Sequence, residues 1–212
     1  MSWGSGSGPG PGSGSAGRLR IGIFGGTFDP IHVGHLVAAV NVRHSLDLDR
    51  LLLVVANVPW QKAELRSISP AADRLAMVAA AVGDVPGLEA SSLEIDRGGP
   101  SYTADTVEAV AALFPGAELF CVVGADAADV LDTWDRASVI AQLATLVVVN
   151  RPGSVRTASL AGWRVVEVEV PALEVSSTDL RARAADGRPL DYLVPVGAVR
   201  FIAARDLYGG GR

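Results

Sequence analysis

The stretch Leu19-Arg20-Ile21-Gly22-Ile23-Phe24-Gly25-Gly26-Thr27-Phe28-Asp29-Pro30-Ile31-His32-Val33-Gly34-His35 reads as a short apolar strand, a glycine turn and the start of a helix. The strand, Leu19 to Phe24, stops at Gly25-Gly26, and an alanine-rich helical stretch runs from about Gly34 to Ser45. Glycines between a strand and a helix let a phosphate come close to the backbone, and the helix start offers free N–H groups at its positive end. His32 and His35 stand three apart at that start, so both can face one anion. Neither is flanked by the glutamate or third ligand that a catalytic zinc needs.

Outward from this unit the alternation repeats. Leu51 to Ala56 is a buried strand, and Ser69-Pro70 supplies an N-cap and first-turn proline for a helix to about Val82. Leu88 to Ile95 reads as a strand, Thr103 to Leu113 as a helix and Glu118 to Val123 as a strand ending at Gly124. Short helices near Asp126 to Leu131 and at Ala137 to Leu143 precede strands at Thr145 to Val149 and Arg164 to Val170. Ser177 to Ala185 and Pro195 to Ala204 are the closing helices. Strands apolar on both faces and alternating with helices predict an α/β, doubly wound, mostly parallel sheet with helices on both faces. Ligands bind beyond the carboxyl ends of such strands, so the loops at Gly25, Asn57, Gly124 and Asn150 are expected to share one cleft.

The 212 residues carry 18 Lys plus Arg against 23 Asp plus Glu, a net charge of -5, which argues against a general affinity for nucleic acid or anionic membrane. No apolar run approaches the ~18 residues of a membrane span. Residues 1–17 are almost entirely Gly, Ser and Pro and read as a flexible leader; 18–212 read as one domain with a small helical part from about 177. The lone Cys121 excludes an internal disulfide framework and a cysteine-based zinc cage, and points to a reducing, cytoplasmic setting. The only lysine, Lys62, lies in Gln61-Lys62-Ala63, which excludes a Gly-Lys-Ser/Thr phosphate loop.

Gly-Thr-Phe-Asp-Pro followed by His-x-Gly-His resembles the first signature of the nucleotidylyltransferase superfamily. Val175-Ser176-Ser177-Thr178-Asp179-Leu180-Arg181 resembles the second signature of its adenylyltransferases, with Val where Ile is usual. Between them, Pro59 to Lys62, Ser101 to Thr106, Gly124-Ala125-Asp126 with Trp134, and Asn150-Arg151-Pro152-Gly153 are similar to the nicotinate mononucleotide adenylyltransferases, from about Arg20 to Tyr208. The resemblance implies a Rossmann-like nucleotidylyltransferase fold and AMP transfer from ATP to nicotinate mononucleotide, with Mg2+ carried by the ATP phosphates and no protein-held metal. It implies an ATP site at Gly25, Gly26, Thr27, Phe28, His32, His35, Gly124, Asp126, Ser176, Ser177, Thr178 and Arg181. Nicotinate mononucleotide would meet Lys62, Tyr102, Thr103 and Trp134. Gln61 stands where the family often has histidine, so a histidine role there does not carry over.

Charge dictates the expected chemistry. The attacking phosphate is already an anion, so no general base or covalent intermediate is required, and the site's task is to hold two polyanions together. His32, His35, Lys62 and Arg181 are the available positive groups and the expected catalytic residues. Phosphopantetheine and nicotinamide mononucleotide adenylyltransferases, and a non-catalytic nucleotide sensor, are the rival readings; a homo-oligomer is allowed by the sequence.

Overall fold

The computed structural model describes residues 18–59, 68–150 and 162–209. The expected leader, Gln61 and Lys62, and Arg151-Pro152-Gly153 lie outside the described residues. Six strands, β1 (Arg20–Gly26), β2 (Arg50–Val55), β3 (Leu88–Ser91), β4 (Glu118–Gly124), β5 (Ala144–Asn150) and β6 (Val165–Glu169), form one sheet in the order β3-β2-β1-β4-β5-β6. Every pairing is parallel. The order reverses between β1 and β4, and the chain leaves both strands at the same edge, which creates the crevice where such sheets bind ligands.

Burial on both faces follows from the alternation of side chains along each strand. Leu51, Leu53 and Val55 of β2 point into one core, with Phe120 and Val122 of β4. Helices α1 (Val33–Ser45), α2 (Ala71–Val82), α7 (Ser177–Ala185) and α8 (Val196–Ala204) cover it through Val42, Met77, Leu180 and Ile202. Leu52 and Val54 point to the other face with Ile21, Ile23 and Cys121, under α4 (Thr103–Leu113) and α6 (Ala137–Leu143). Among the described residues no helix is long and apolar enough to cross a membrane.

Three local expectations are corrected. The strand expected through Ile95 ends at Ser91, and Leu93–Arg97 is a short helix, α3. The Ser91-Ser92 pair supplies the break: Leu93 N–H donates to Ser91 Oγ at 3.4 Å, and Ser92 Oγ donates to Asp96 Oδ2 at 2.6 Å, local bonds that compete with the ladder. Pro70 is itself the N-cap of α2, with no side-chain cap, so Ser69 does not cap the helix. The helix expected at Asp126 to Leu131 divides into α5 (Ala125–Ala128) and a 3-10 turn at Leu131–Thr133.

Candidate active site

Two chambers open at the carboxyl ends of β1 and β4, and both are walled by Phe24, Gly25, Gly26 and Thr27. One, of about 530 Å3, is lined by Phe28, Asp29, His32, His35, Asp126, Ser176, Ser177, Thr178 and Arg181. The other, of about 260 Å3, is lined by Ser101, Tyr102, Thr103, Gly124 and Trp134. Apart from Lys62, which lies outside the described residues, the expected residues line these two adjoining chambers, Gly124 in the smaller and Asp126 in the larger. Asn57 is bonded to the rim of the smaller chamber. Asn150 itself lines neither chamber, and its Nδ2 donates to Glu167 Oε2 at 2.8 Å; the loop that follows it lies outside the described residues.

The glycine loop differs internally from the sequence reading. A Cβ on Gly25 would meet nothing within 4 Å, which fits a residue facing a ligand space. At Gly26 a Cβ would fall 2.7 Å from the Phe28 ring, which a left-handed φ of 49° turns back over the loop. Gly26 thus makes room for the Phe28 ring while its backbone still walls both chambers. Phe28 in turn packs edge-on against His35, with ring centroids 5.1 Å apart.

The histidines form a stacked pair, centroids 3.7 Å apart. The His32 backbone N–H donates to His35 Nδ1 at 3.2 Å, so a neutral His35 carries its proton on Nε2. His32 is 7% exposed, its Nδ1 has no hydrogen-bond partner among the described residues, and burial lowers its pKa to about 4. It is neutral near pH 7, which corrects its expected place among the positive groups. The folded value lies below the ordinary 6.5, so the unfolded chain binds the proton first on acidification. The stability that His32 contributes is full above about pH 6.5 and is lost by about 1.4 kcal/mol per pH unit down to about pH 4. Melting temperature is expected to fall more steeply between pH 6.5 and 4.5 in the wild-type protein than in His32→Gln; parallel profiles would contradict the assignment.

The second signature docks on the first. Ser176 caps α7 by accepting from the Asp179 N–H at 3.2 Å, as its sequence predicts. Ser177 Oγ donates to Pro30 O at 2.9 Å, and Arg181 Nη1 donates to Asp29 O at 2.8 Å. The positive ends of α1 and α7 and the Arg181 guanidinium therefore converge on the larger chamber. Asp29, 1% exposed, accepts from Tyr208 Oη at 2.8 Å, so the last turn of the chain also grips this loop. Burial, followed by the charge of Asp29, pushes the Tyr208 hydroxyl pKa up and keeps it a donor.

In the smaller chamber Tyr102 is the N-cap of α4 and gives no side-chain cap, so the first-turn N–H groups face outward from the helix start at Thr103. Behind it, Thr106 Oγ1 donates to Glu94 Oε1 at 2.6 Å. Trp134 offers an aromatic wall, and its Nε1 is buried with no partner among the described residues.

Residues 23–183 match the family model described as cytidylyltransferase-like. A Streptomyces coelicolor protein named "Probable nicotinate-nucleotide adenylyltransferase" is 49% identical over 187 residues, covering 88% of this chain and 99% of its own length. A Corynebacterium kroppenstedtii protein of the same name is 48% identical over 192 residues, covering 89% and 90%. The chain belongs to the nicotinate-nucleotide adenylyltransferase family. In fold it is similar to Plasmodium falciparum nicotinic acid mononucleotide adenylyltransferase complexed with NaAD, with a TM-score of 0.77 at 16% identity, over 92% of this chain and 99% of that one.

Three residues of this member of the family escape the sequence reading: Arg74, Glu94 and Tyr208. Arg74 is 1% exposed and carried a readable signal, since Arg74, Met77 and Val78 form one apolar stripe of α2 that buries whatever stands in it. Glu94 was hidden by the strand assignment to Ile95. Tyr208 gave no signal, because its partner Asp29 is 179 residues away.

Proposed function

We propose that this protein transfers the adenylyl group of ATP to the phosphate of nicotinate mononucleotide, giving nicotinate adenine dinucleotide and pyrophosphate in NAD biosynthesis. One observation carries the reading: two chambers share the Gly25–Thr27 wall, one lined by histidines, Arg181 and two helix starts, the other by an indole and an uncapped helix start. The first suits a triphosphate, and the second suits a flat ring bearing a carboxylate. Gly124 of the smaller chamber and Asp126 of the larger hold the ATP ribose. Lys62, outside the described residues, supplies a cation toward nicotinate mononucleotide.

A phosphate oxygen of the mononucleotide attacks the α-phosphorus of ATP. The new P–O bond forms as the bond to the β-phosphate oxygen breaks, and the electron pair leaves with pyrophosphate. No proton has to be removed from the nucleophile. His35, with its proton on Nε2, donates toward the α-phosphoryl oxygens; neutral His32 stacks beside it and fixes that tautomer through its backbone N–H. Arg181 and the α7 start hold the β- and γ-phosphates. Among the described residues no group of three or more His, Cys, Asp or Glu side chains could hold a metal ion. Mg2+ carried on the triphosphate would neutralise charge on the leaving group. ATP as substrate and Cys121 as a lone buried thiol both suit the cytoplasm.

The acid substrate is expected to exceed the amide by roughly tenfold or more in kcat/KM. Backbone N–H donors near Thr103 suit two carboxylate oxygens, whereas an amide presents an NH2 to one of them and leaves a buried donor unpaired at about 1 to 3 kcal/mol. Steady-state kinetics with nicotinate and nicotinamide mononucleotides under matched conditions test this. Equal kcat/KM values would overturn the assignment of the smaller chamber to the nicotinate ring.

A further inference from the structure

Arg74 touches neither chamber, yet its guanidinium meets the backbone behind both. Nη1 donates to Thr27 O at 2.9 Å, Nη2 to Asn57 O at 3.0 Å and Nε to Ser69 O at 2.9 Å. Thr27 belongs to the wall shared by the two chambers. Asn57 opens the loop after β2 and Ser69 precedes α2.

From Asn57 the connection continues toward the smaller chamber. The Asn57 N–H donates to Ser101 Oγ at 2.8 Å, and Asn57 Nδ2 donates to Gly99 O at 3.0 Å. The Ser101 N–H returns a bond to Val58 O at 3.0 Å, and Val58 bridges Pro100 in parallel. Ser101 and Tyr102 lead directly into the α4 start at Thr103. A continuous path therefore runs from Thr27 through Arg74, Asn57 and Ser101 to Thr103.

We propose that Arg74 is a positioning residue that sets the triphosphate loop and the nicotinate pocket at reacting distance and couples the order of one to the other. The proposal rests on the adenylyl-transfer reading. A planar fork with fixed N–H directions can hold two carbonyls from different loops at once, while a lysine ammonium offers one point charge on a flexible stem. Each nucleotide binds against its own wall, so loss of the fork leaves single binding nearly intact. What suffers is the in-line approach, where a misplacement of about 1 Å can cost on the order of a hundredfold.

The test uses the full chain as wild type, Arg74→Lys, Ser101→Ala and the double variant. Affinities for α,β-methylene ATP alone and nicotinate mononucleotide alone are measured by calorimetry, kcat at saturation of both substrates, and folding by thermal melting. Arg74→Lys is expected to lower kcat by at least about tenfold, with each single affinity within about threefold of wild type. Ser101→Ala is expected to lower kcat without changing affinity for the ATP analogue, and the double variant to lose little more than Arg74→Lys alone. An unaltered kcat, loss of both single affinities in a folded variant, or additive effects would each overturn the proposal. Should Arg74→Lys fail to fold, the Ser101→Ala result decides it by the same criteria.

Amide hydrogen exchange gives a readout independent of turnover. In wild type the ATP analogue should slow exchange at Gly99–Thr103, beyond its own chamber, and in Ser101→Ala it should not. Absence of this effect in wild type would overturn the coupling. A wild-type protein that makes no dinucleotide from nicotinate mononucleotide while showing the exchange effect would instead overturn the functional reading and leave the coupling standing.

Discussion

His35→Ala is expected to lower turnover with ATP and nicotinate mononucleotide by at least about a hundredfold, since removing one preorganised donor to a developing oxyanion typically costs about 2.7 to 4 kcal/mol. The geometry gives the reason. His35 Nδ1 is committed to the His32 backbone N–H, and the ring is braced by Phe28 and by the stacked His32, so Nε2–H is preset before substrate arrives. Such a donor needs little reorganisation when charge builds on the α-phosphoryl oxygens. Half-buried at the start of α1, His35 contributes little to the core, and melting temperature and affinity for an ATP analogue are expected to change little. Pyrophosphate release checks the rate. Turnover within tenfold of wild type would remove His35 from the chemistry.

Arg181→Ala is expected to reduce kcat/KM for ATP by roughly 10- to 150-fold, the equivalent of about 1.5 to 3 kcal/mol for hydrogen bonds to a charged group. With His32 neutral, Arg181 is the cation that the described part of the larger chamber contributes, and its Nη1 also pins the carbonyl of Asp29 in the first signature. The substitution removes the charge facing the phosphates and loosens α7 from the loop. Arg181→Lys should recover part of the loss, because it restores a charge but not a fork that reaches Asp29 O and Thr178 Oγ1 together. Equal values for Ala and Lys would show that charge is not what Arg181 supplies, and an unchanged kcat/KM would move the triphosphate elsewhere.

The parts of the molecule legible in the sequence are those whose signals are local. Leu19 to Gly34 announces strand, turn and helix within one short stretch, and Ser176 announces its cap on Asp179 three residues on. The two-faced apolar strands are enough to imply a parallel sheet covered by helices, and that architecture brings Gly25 near Gly124 and Asp126. The parts that were not legible depend on contacts at long range. Whether His32 is charged is decided by burial beneath its neighbours, not by its place in a motif. Gly26 serves the Phe28 ring, a purpose visible only once the left-handed turn at Phe28 is formed. Asn150 stands in a motif yet turns to Glu167 on the neighbouring strand, and Arg74 shows its burial in the stripe of α2 but not the three loops it gathers.

The most direct measurement follows the α-phosphorus. Purified full-length protein is incubated with Mg2+, nicotinate mononucleotide and ATP labelled at the α-phosphate, and the products are separated and quantified. The label is expected in a dinucleotide that contains nicotinate, formed in equal amount to pyrophosphate and only when both substrates are present. Label recovered as AMP without dinucleotide, or both nucleotides bound with no transfer, would contradict the adenylyl-transfer account.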